Sequence, residues 1–243
     1  MRILYFCCLS LLIFSGFGCK KRQVPEAIAE REKWIAGFND SVASYENRIS
    51  EISTMLNECN DRINDELTNF EYVSKPKEVT GYYILKGWKS KVPLTSTGIY
   101  ARINEDEKIE LLATLSGGVF NSLKVSNGVT ECTSQVVPYD QALNYRHGAY
   151  NTVCFVGEAA DSVAQFISDH YTEKLYLYFM NGNQKRDFVI PENEKTMVAA
   201  TWNLLATQLE QKNLQKDLWM TSKKLEIFRK KIVNSDTIKN KTL

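Results

Sequence analysis

The chain has 243 residues, with 30 Lys and Arg against 29 Asp and Glu. That balance excludes general nucleic-acid binding, which draws on an excess of positive charge. A hydrophobic content of 44% excludes global disorder and leaves room for one domain or two.

The first element is an export signal. Arg2 supplies a positive start, an apolar run covers Ile3 to Phe14, and Ser15-Gly16-Phe17-Gly18-Cys19 follows. The apolar stretch is shorter than the roughly 20 residues that span a bilayer, which favours cleavage over an uncleaved membrane helix. Small residues before a cysteine resemble the bacterial lipobox. The resemblance implies a signal peptide over 1–18 and a diacylated Cys19, with fatty chains such as palmitate, at the new N-terminus. Two chains hold a protein stably on a membrane. Lys20, Lys21 and Arg22 follow the cysteine; by the same resemblance, a basic start implies an outer-membrane anchor facing the periplasm. Removing the signal takes away Arg2 alone among charged residues, so the mature chain is neutral.

Residues 19–74 read as an N-terminal coiled-coil helix. After Pro25, suited to a first helical turn, Gly37 is the only helix-weakening residue before Tyr72. Ile28, Ile35, Val42, Ile49, Leu56, Ile63 and Phe70 recur every seven residues. Phe38, Tyr45, Ile52 and Cys59 sit three further on, and Arg31 and Glu66 interrupt that second row. These are a and d positions of a heptad.

Residues 75–190 read as a β-rich domain, a sandwich or partly closed barrel of about eight strands and one short helix. The strands are expected at Tyr82–Leu85, Gly98–Ile103, Lys108–Leu115, Val119–Val125, Val129–Val137, Tyr150–Val156, Leu175–Phe179 and Arg186–Ile190. The helix is expected at Ala159–His170 with Asp161 as its N-cap. Asn127-Gly128 and Asn181-Gly182-Asn183 supply hairpin turns.

Residues 191–234 read as a C-terminal helix pairing with the first, and 235–243 as a flexible tail. Val198, Trp202, Leu205 and Leu209 form one stripe; Leu214, Leu218, Leu225, Phe228 and Ile232 form another. The stripes fall out of phase across Glu210–Asn213, as a register break or kink would produce. Residues 26–72 hold eleven acidic and four basic side chains, whereas 193–243 hold ten basic and five acidic. Opposite signs favour pairing between these helices over self-pairing. The expected class is therefore α+β, with a long antiparallel coiled-coil helix pair bracketing the inserted β-rich domain. Two unrelated helices on a globular core are the alternative. In the paired arrangement the β-rich domain stands on a helical stalk, and the C-terminal lysines join Lys20–Arg22 near the anionic membrane surface.

Chemistry is sparse. His147 and His170 have no second His or Cys at metal-ligand spacing, so no metal and no cofactor is expected. Ser116-Gly117-Gly118 lacks the context of a phosphate loop or a nucleophile elbow. Of the cysteines left after Cys7, Cys8 and Cys19, two share the β-region, so a Cys132–Cys154 disulfide is expected in an oxidising compartment, against three buried thiols. The polar, aromatic stretch Pro138–Ala149, with Tyr139, Asp140, Asn144, Tyr145 and Arg146, is the candidate binding loop.

The segments Gly81-Tyr82-Tyr83-Ile84-Leu85-Lys86-Gly87-Trp88, Ala101-Arg102-Ile103-Asn104-Glu105 and Tyr139-Asp140-Gln141-Ala142-Leu143-Asn144-Tyr145-Arg146 resemble lipoproteins of Bacteroides-type Gram-negative bacteria. The resemblance implies a compartment and no activity. The expectation is a non-enzymatic, membrane-anchored envelope lipoprotein. Its partners would be membrane lipid, through Cys19, and an envelope protein, met by the β-rich domain. The alternative is a small-ligand binding module with its pocket in that domain.

Overall fold

In the computed structural model of the chain, the described residues are 23–74, 81–138 and 144–239, without the side chains of 23–28 and 234–239. The signal and its Cys19, and Tyr139 and Asp140 of the expected binding loop, lie outside them. The chain is α+β, and its described residues form three helices and ten strands in two antiparallel sheets. The helices are α1 (Gln23–Leu67), α2 (Glu158–Asp169) and α3 (Glu192–Lys239). The strands are β1 (Phe70–Val73), β2 (Tyr82–Leu85), β3 (Gly98–Asn104), β4 (Ile109–Ser116), β5 (Ser122–Ser126), β6 (Glu131–Thr133), β7 (Asn144–His147), β8 (Tyr150–Val156), β9 (Tyr176–Asn181) and β10 (Gln184–Val189). Two compact units are distinguished: Leu56–Asn213, and Met1–Met55 with Leu214–Leu243. Among the described residues no helix is long and apolar enough to cross a membrane.

The six-stranded sheet runs β1-β2-β3-β4-β8-β7 and the four-stranded sheet β10-β9-β5-β6. Among the described residues neither sheet closes on itself, so the two sheets do not form a closed barrel. Two strands exceed the eight expected. β1 lies where the first helix was expected to continue to Tyr72. Instead α1 stops at Leu67, where Thr68 Oγ1 donates to Asp65 O at 2.6 Å and Asn69 N to Glu66 O at 2.9 Å. A hydroxyl that bonds its own backbone competes with helix propagation, and Phe70-Glu71-Tyr72-Val73 then pairs with β2. The second addition, β7, lies inside the stretch expected to be loop. α2 begins at Glu158 after Gly157, not at an Asp161 cap; Gly157 takes φ 55°, a value that favours glycine.

One face of the six-stranded sheet is apolar: Ile99, Ala101, Ile103, Ile109, Leu111, Ala113 and Phe155 are all at most 2% exposed. Phe120 bridges to the second sheet, with ring centroids 6.5 Å from Phe155 and 4.9 Å from Phe179. α2 contacts strands of both sheets through its Ala160, Val163, Ala164 and Ile167 face.

The start of β3 is unusual. β2 pairs with β3 only at Tyr82↔Asn104 and Tyr83↔Ile103. The Ile99 and Ala101 amides therefore have no strand to donate to on that side. Side chains of the first turns of α3 replace it: Ile99 N donates to Glu194 Oε2 at 2.9 Å, and Ala101 N lies 3.2 Å from Met197 Sδ. Gly98 permits the approach, because a Cβ there would sit 2.7 Å from Glu194 Oε1.

The heptad of α1 corresponds to its less exposed face. Between Arg31 and Ile63 all its a and d positions are buried or half-buried, with Ile52 and Cys59 fully buried. Within the smaller unit, the Phe228 ring meets Phe38 and Tyr45 in tilted contacts, centroids 5.4 and 5.3 Å apart, and Arg229 pairs with Glu46 at 2.6 Å. Within the larger unit, Arg62 pairs with Glu210 at 2.7 Å, Gln211 Nε2 donates to Asn60 Oδ1 at 2.5 Å, and the Cys59 thiol donates to Thr207 O at 3.3 Å. On α3, Leu209 of the expected first stripe is 43% exposed, and Thr201 and Leu204 take the buried row with Val198 and Leu205. The second stripe has Leu214 and Leu225 buried and Leu218, Phe228 and Ile232 half-buried. The phase change coincides with the boundary between units after Asn213. α3 continues to Lys239, beyond the Asn234 expected for its end.

Burial pushes the Glu194 carboxyl up to about 7, with the Ile99 amide opposing. The unfolded carboxyl titrates near 4.5. Between these values the folded chain holds a proton that the unfolded chain has released. Stability is therefore fully present below about pH 4.5 and is lost as pH rises through about 7, by on the order of 3 kcal/mol. Glu194→Gln is expected to remove this slope and keep the acceptor, read from urea midpoints between pH 5 and 8. Gly98→Ala is expected to destabilise by about 1–3 kcal/mol at either pH.

Candidate functional site

The second face of the six-stranded sheet carries a cluster of titratable side chains. Strand alternation and register place Tyr82, Tyr100, Arg102, Asn104, Glu110, Cys154 and Tyr145 on it. Arg102 lies directly opposite Glu110, and its Nε donates to Glu110 Oε2 at 2.5 Å. Asn104 Nδ2 donates to the other carboxylate oxygen at 3.1 Å. The guanidinium carbon stands 4.1 Å from the centre of the Tyr82 ring. Both partners of the ion pair are more than four-fifths buried. A buried pair of this kind holds only while every member is satisfied, and here the single charged Nε bond, the Asn104 amide on the second oxygen and the Tyr82 ring against the guanidinium serve that demand.

Next to the pair, Tyr100 is hydrogen-bonded to Tyr145. Burial first, and Tyr145 second, hold the Tyr100 phenol well above its ordinary range. Burial likewise pushes the Cys154 thiol up to about 12, with Glu110 adding to it. Groups displaced in these directions stay neutral at physiological pH. A neutral thiol is a poor nucleophile, and a neutral phenol is a poor base.

The expected binding loop separates into different environments. Its described part forms edge strand β7 with Gly148 at φ 61° in the turn to β8. Tyr145, 39% exposed, faces the cluster and carries it to the surface. Asn144 turns the other way; its Nδ2 reaches Pro138 O at 3.5 Å and its Oδ1 is buried without a partner among the described residues. Arg146 is exposed and bonds Gly148 O within its own hairpin at 3.0 Å.

The expected Cys132–Cys154 disulfide is not formed; both are free thiols. Cys132 stands opposite Val125 in the four-stranded sheet, and Cys154 opposite Leu112 in the six-stranded one. Lying in one β-region of sequence did not put them in one sheet. His170 closes a surface network, its Nδ1 2.9 Å from Glu173 Oε1, while Asn127 Nδ2 donates to Glu173 Oε2 at 2.7 Å. This network fastens the Asn127-Gly128 turn and lowers the Glu173 pKa through His170 and then Asn127. Among the described residues no group of His, Cys, Asp and Glu could hold a metal ion.

Arg102 and Glu110 are not among the site residues expected from sequence, where polar loops stood out instead. Their signal is nevertheless present: a hairpin turning at 105–108 sets 102 opposite 110. Removing the cation alone by Arg102→Met leaves Glu110 buried and uncompensated, with an expected cost of about 3–5 kcal/mol. The double change Arg102→Met with Glu110→Leu is expected to recover most of that loss, read as the coupling energy of a double-mutant cycle. In the folded chain a thiol reagent at pH 8 is expected to modify half-exposed Cys132 well before Cys59 or Cys154; a Cys132–Cys154 disulfide peptide would contradict the placement above.

No protein-family model matches this chain, and neither a curated protein nor a solved structure matches it.

Proposed function

We propose that this chain is a non-enzymatic lipoprotein of the bacterial envelope, anchored through an acylated Cys19 at the outer membrane and facing the periplasm. Cys19 is the observation that carries the reading: an apolar run ends in Ser-Gly-Phe-Gly and a cysteine, followed at once by three cations. In this reading α1 and α3 act as an antiparallel coiled-coil pair that carries the anchor, and the β-rich part meets an envelope protein.

Three features support it. The a and d rows of α1 coincide with its less exposed face, as a coiled-coil seam requires. Of the ion pairs between the helices, Glu46 of α1 with Arg229 of α3 on the smaller unit has the acid-to-base sense of the charge asymmetry, whereas Arg62 with Glu210 on the larger unit has the reverse sense. The contacts of Asn60 with Gln211, Arg62 with Glu210 and Glu66 with Thr207 run in opposite chain directions. The chemistry of the sheet cluster points the same way. Its thiol and phenol are held neutral and its only charges neutralise each other, which suits a rigid platform better than a reaction centre. Tyr145 and the exposed Arg146 on edge strand β7 are the side chains we assign to partner contact, since aromatic and Arg side chains dominate binding energy at interfaces.

Metabolic labelling with an alkyne fatty acid tests the anchor. The wild-type chain should take up label at a mature N-terminus beginning with Cys19, and Cys19→Ala should take up none. Absence of label from the wild type would refute lipid anchoring.

A further inference from the structure

Glu66 breaks the apolar d row of α1, at a position where the six preceding turns place side chains on the covered face. The position is costly for a carboxylate. Its Oε2 is buried with no hydrogen-bond partner among the described residues, and its Oε1 has only Thr207 Oγ1 at 3.4 Å. Burial raises its pKa, against Thr207 and then Arg62. Arg62, a turn earlier, is committed to Glu210 at 2.7 Å. The last turn of α1 holds no basic residue, and a helix C-terminus is itself partially negative and favours a cation. Lys86, across the way, is held by the Thr68 carbonyl at 2.5 Å and is not among the groups acting on Glu66. A buried acceptor without a partner is rare in native proteins and calls for a cause.

The cause we favour is the groove it lines. A cavity of about 420 Å³ opens between the end of α1, the β1–β2 hairpin and α3, bounded by Glu66, Phe70, Leu85, Lys86, Ala200 and Asn203. All of these residues belong to the larger unit. Its volume lies within the range of small-molecule sites, and its lining sets the polar Glu66, Asn69, Lys86, Thr196 and Asn203 beside the apolar Phe70, Leu85 and Ala200. The terminal torsion of a glutamate is broad, so the carboxylate can turn an oxygen into the groove at small cost. Phe70, Leu85 and Ala200 offer the apolar wall.

We propose that this groove binds a small primary ammonium ion with an apolar body, the ammonium at Glu66 and the body against Phe70, Leu85 and Ala200. The site is independent of the lipid anchor, and it moves the small-ligand alternative from inside the β-rich domain to the corner where α1, the hairpin and α3 meet.

Titration calorimetry of the full chain in lipid nanodiscs, with empty nanodiscs subtracted, provides the test. Phenethylamine is the probe and phenethyl alcohol its uncharged counterpart. The amine should bind with a dissociation constant below about 1 mM and the alcohol about tenfold or more weakly. Glu66→Gln should weaken amine binding about tenfold or more while melting cooperatively. Glu66→Leu should abolish binding and raise the melting temperature, because it completes the apolar row. Ala200→Trp, which fills the groove and leaves Glu66 in place, should also abolish binding. Equal binding of amine and alcohol, unchanged amine binding in Glu66→Gln, or no heat from the amine with the wild type would each overturn the site. None of these results bears on fatty-acid labelling at Cys19.

Discussion

The larger unit depends on how the exposed start of β3 is closed. A strand buried on both faces cannot leave its amides unpaired, because each orphaned donor costs about 1–3 kcal/mol. β2 is too short to cover Ile99 and Ala101, and the first turns of α3 cover them with Glu194 and Met197. This fixes the register of α3 against the sheet. A shift of one residue would turn Glu194 away from the Ile99 amide by about 100° around the helix. Thr201 and Thr207, further along, each return their hydroxyl to the carbonyl four residues earlier, so the helix accepts polar residues on its covered side. Thr207 then meets Cys59 and Glu66 of α1. The contacts of α1 in this unit therefore depend on a helix whose register is set at Glu194, more than a hundred residues further along the chain.

The heptad of α1 was legible because it is long, and seven-residue recurrence sustained over many turns is the mark of a helix with one covered stripe. Its C-terminal limit was not legible. Phe70 fits the a row in spacing and is buried, yet it is a strand residue paired with Leu85. Periodicity cannot distinguish those cases over a single residue; the side chain that decides is Thr68, whose hydroxyl caps the helix. β7 was hidden for the opposite reason. Asn144-Tyr145-Arg146-His147 has no apolar alternation, because an edge strand needs to satisfy only one neighbour and can show polar side chains to solvent.

The candidate site was less legible than the fold. Cysteine counting brought Cys132 and Cys154 together, but pairing depends on which sheet each strand joins, and that is a long-range property. The Arg102–Glu110 pair was within reach, since hairpin register follows from turn length. Glu194 sits in the acidic first turn of α3, as many helix starts do, but its role against β3 needs the missing half of β2, which no local pattern announces.

Glu110, Glu194 and Glu66 of the larger unit are each drawn from water to some degree, and their treatment differs. Glu110 is answered by a guanidinium and an amide. Glu194 is answered by one backbone amide, and protonation near pH 7 completes the compensation. Glu66 is answered by one long hydroxyl contact, with its second oxygen left unmatched. The first two serve places where the sheet would otherwise carry an uncompensated group. Glu66 closes no such defect: a leucine there would continue the row of Ile52 and Cys59 and contribute roughly 1.5–3 kcal/mol by burial. Of the three, Glu66 is the carboxylate whose compensation the described residues leave incomplete, and the groove beside it is where the proposed ammonium partner would enter.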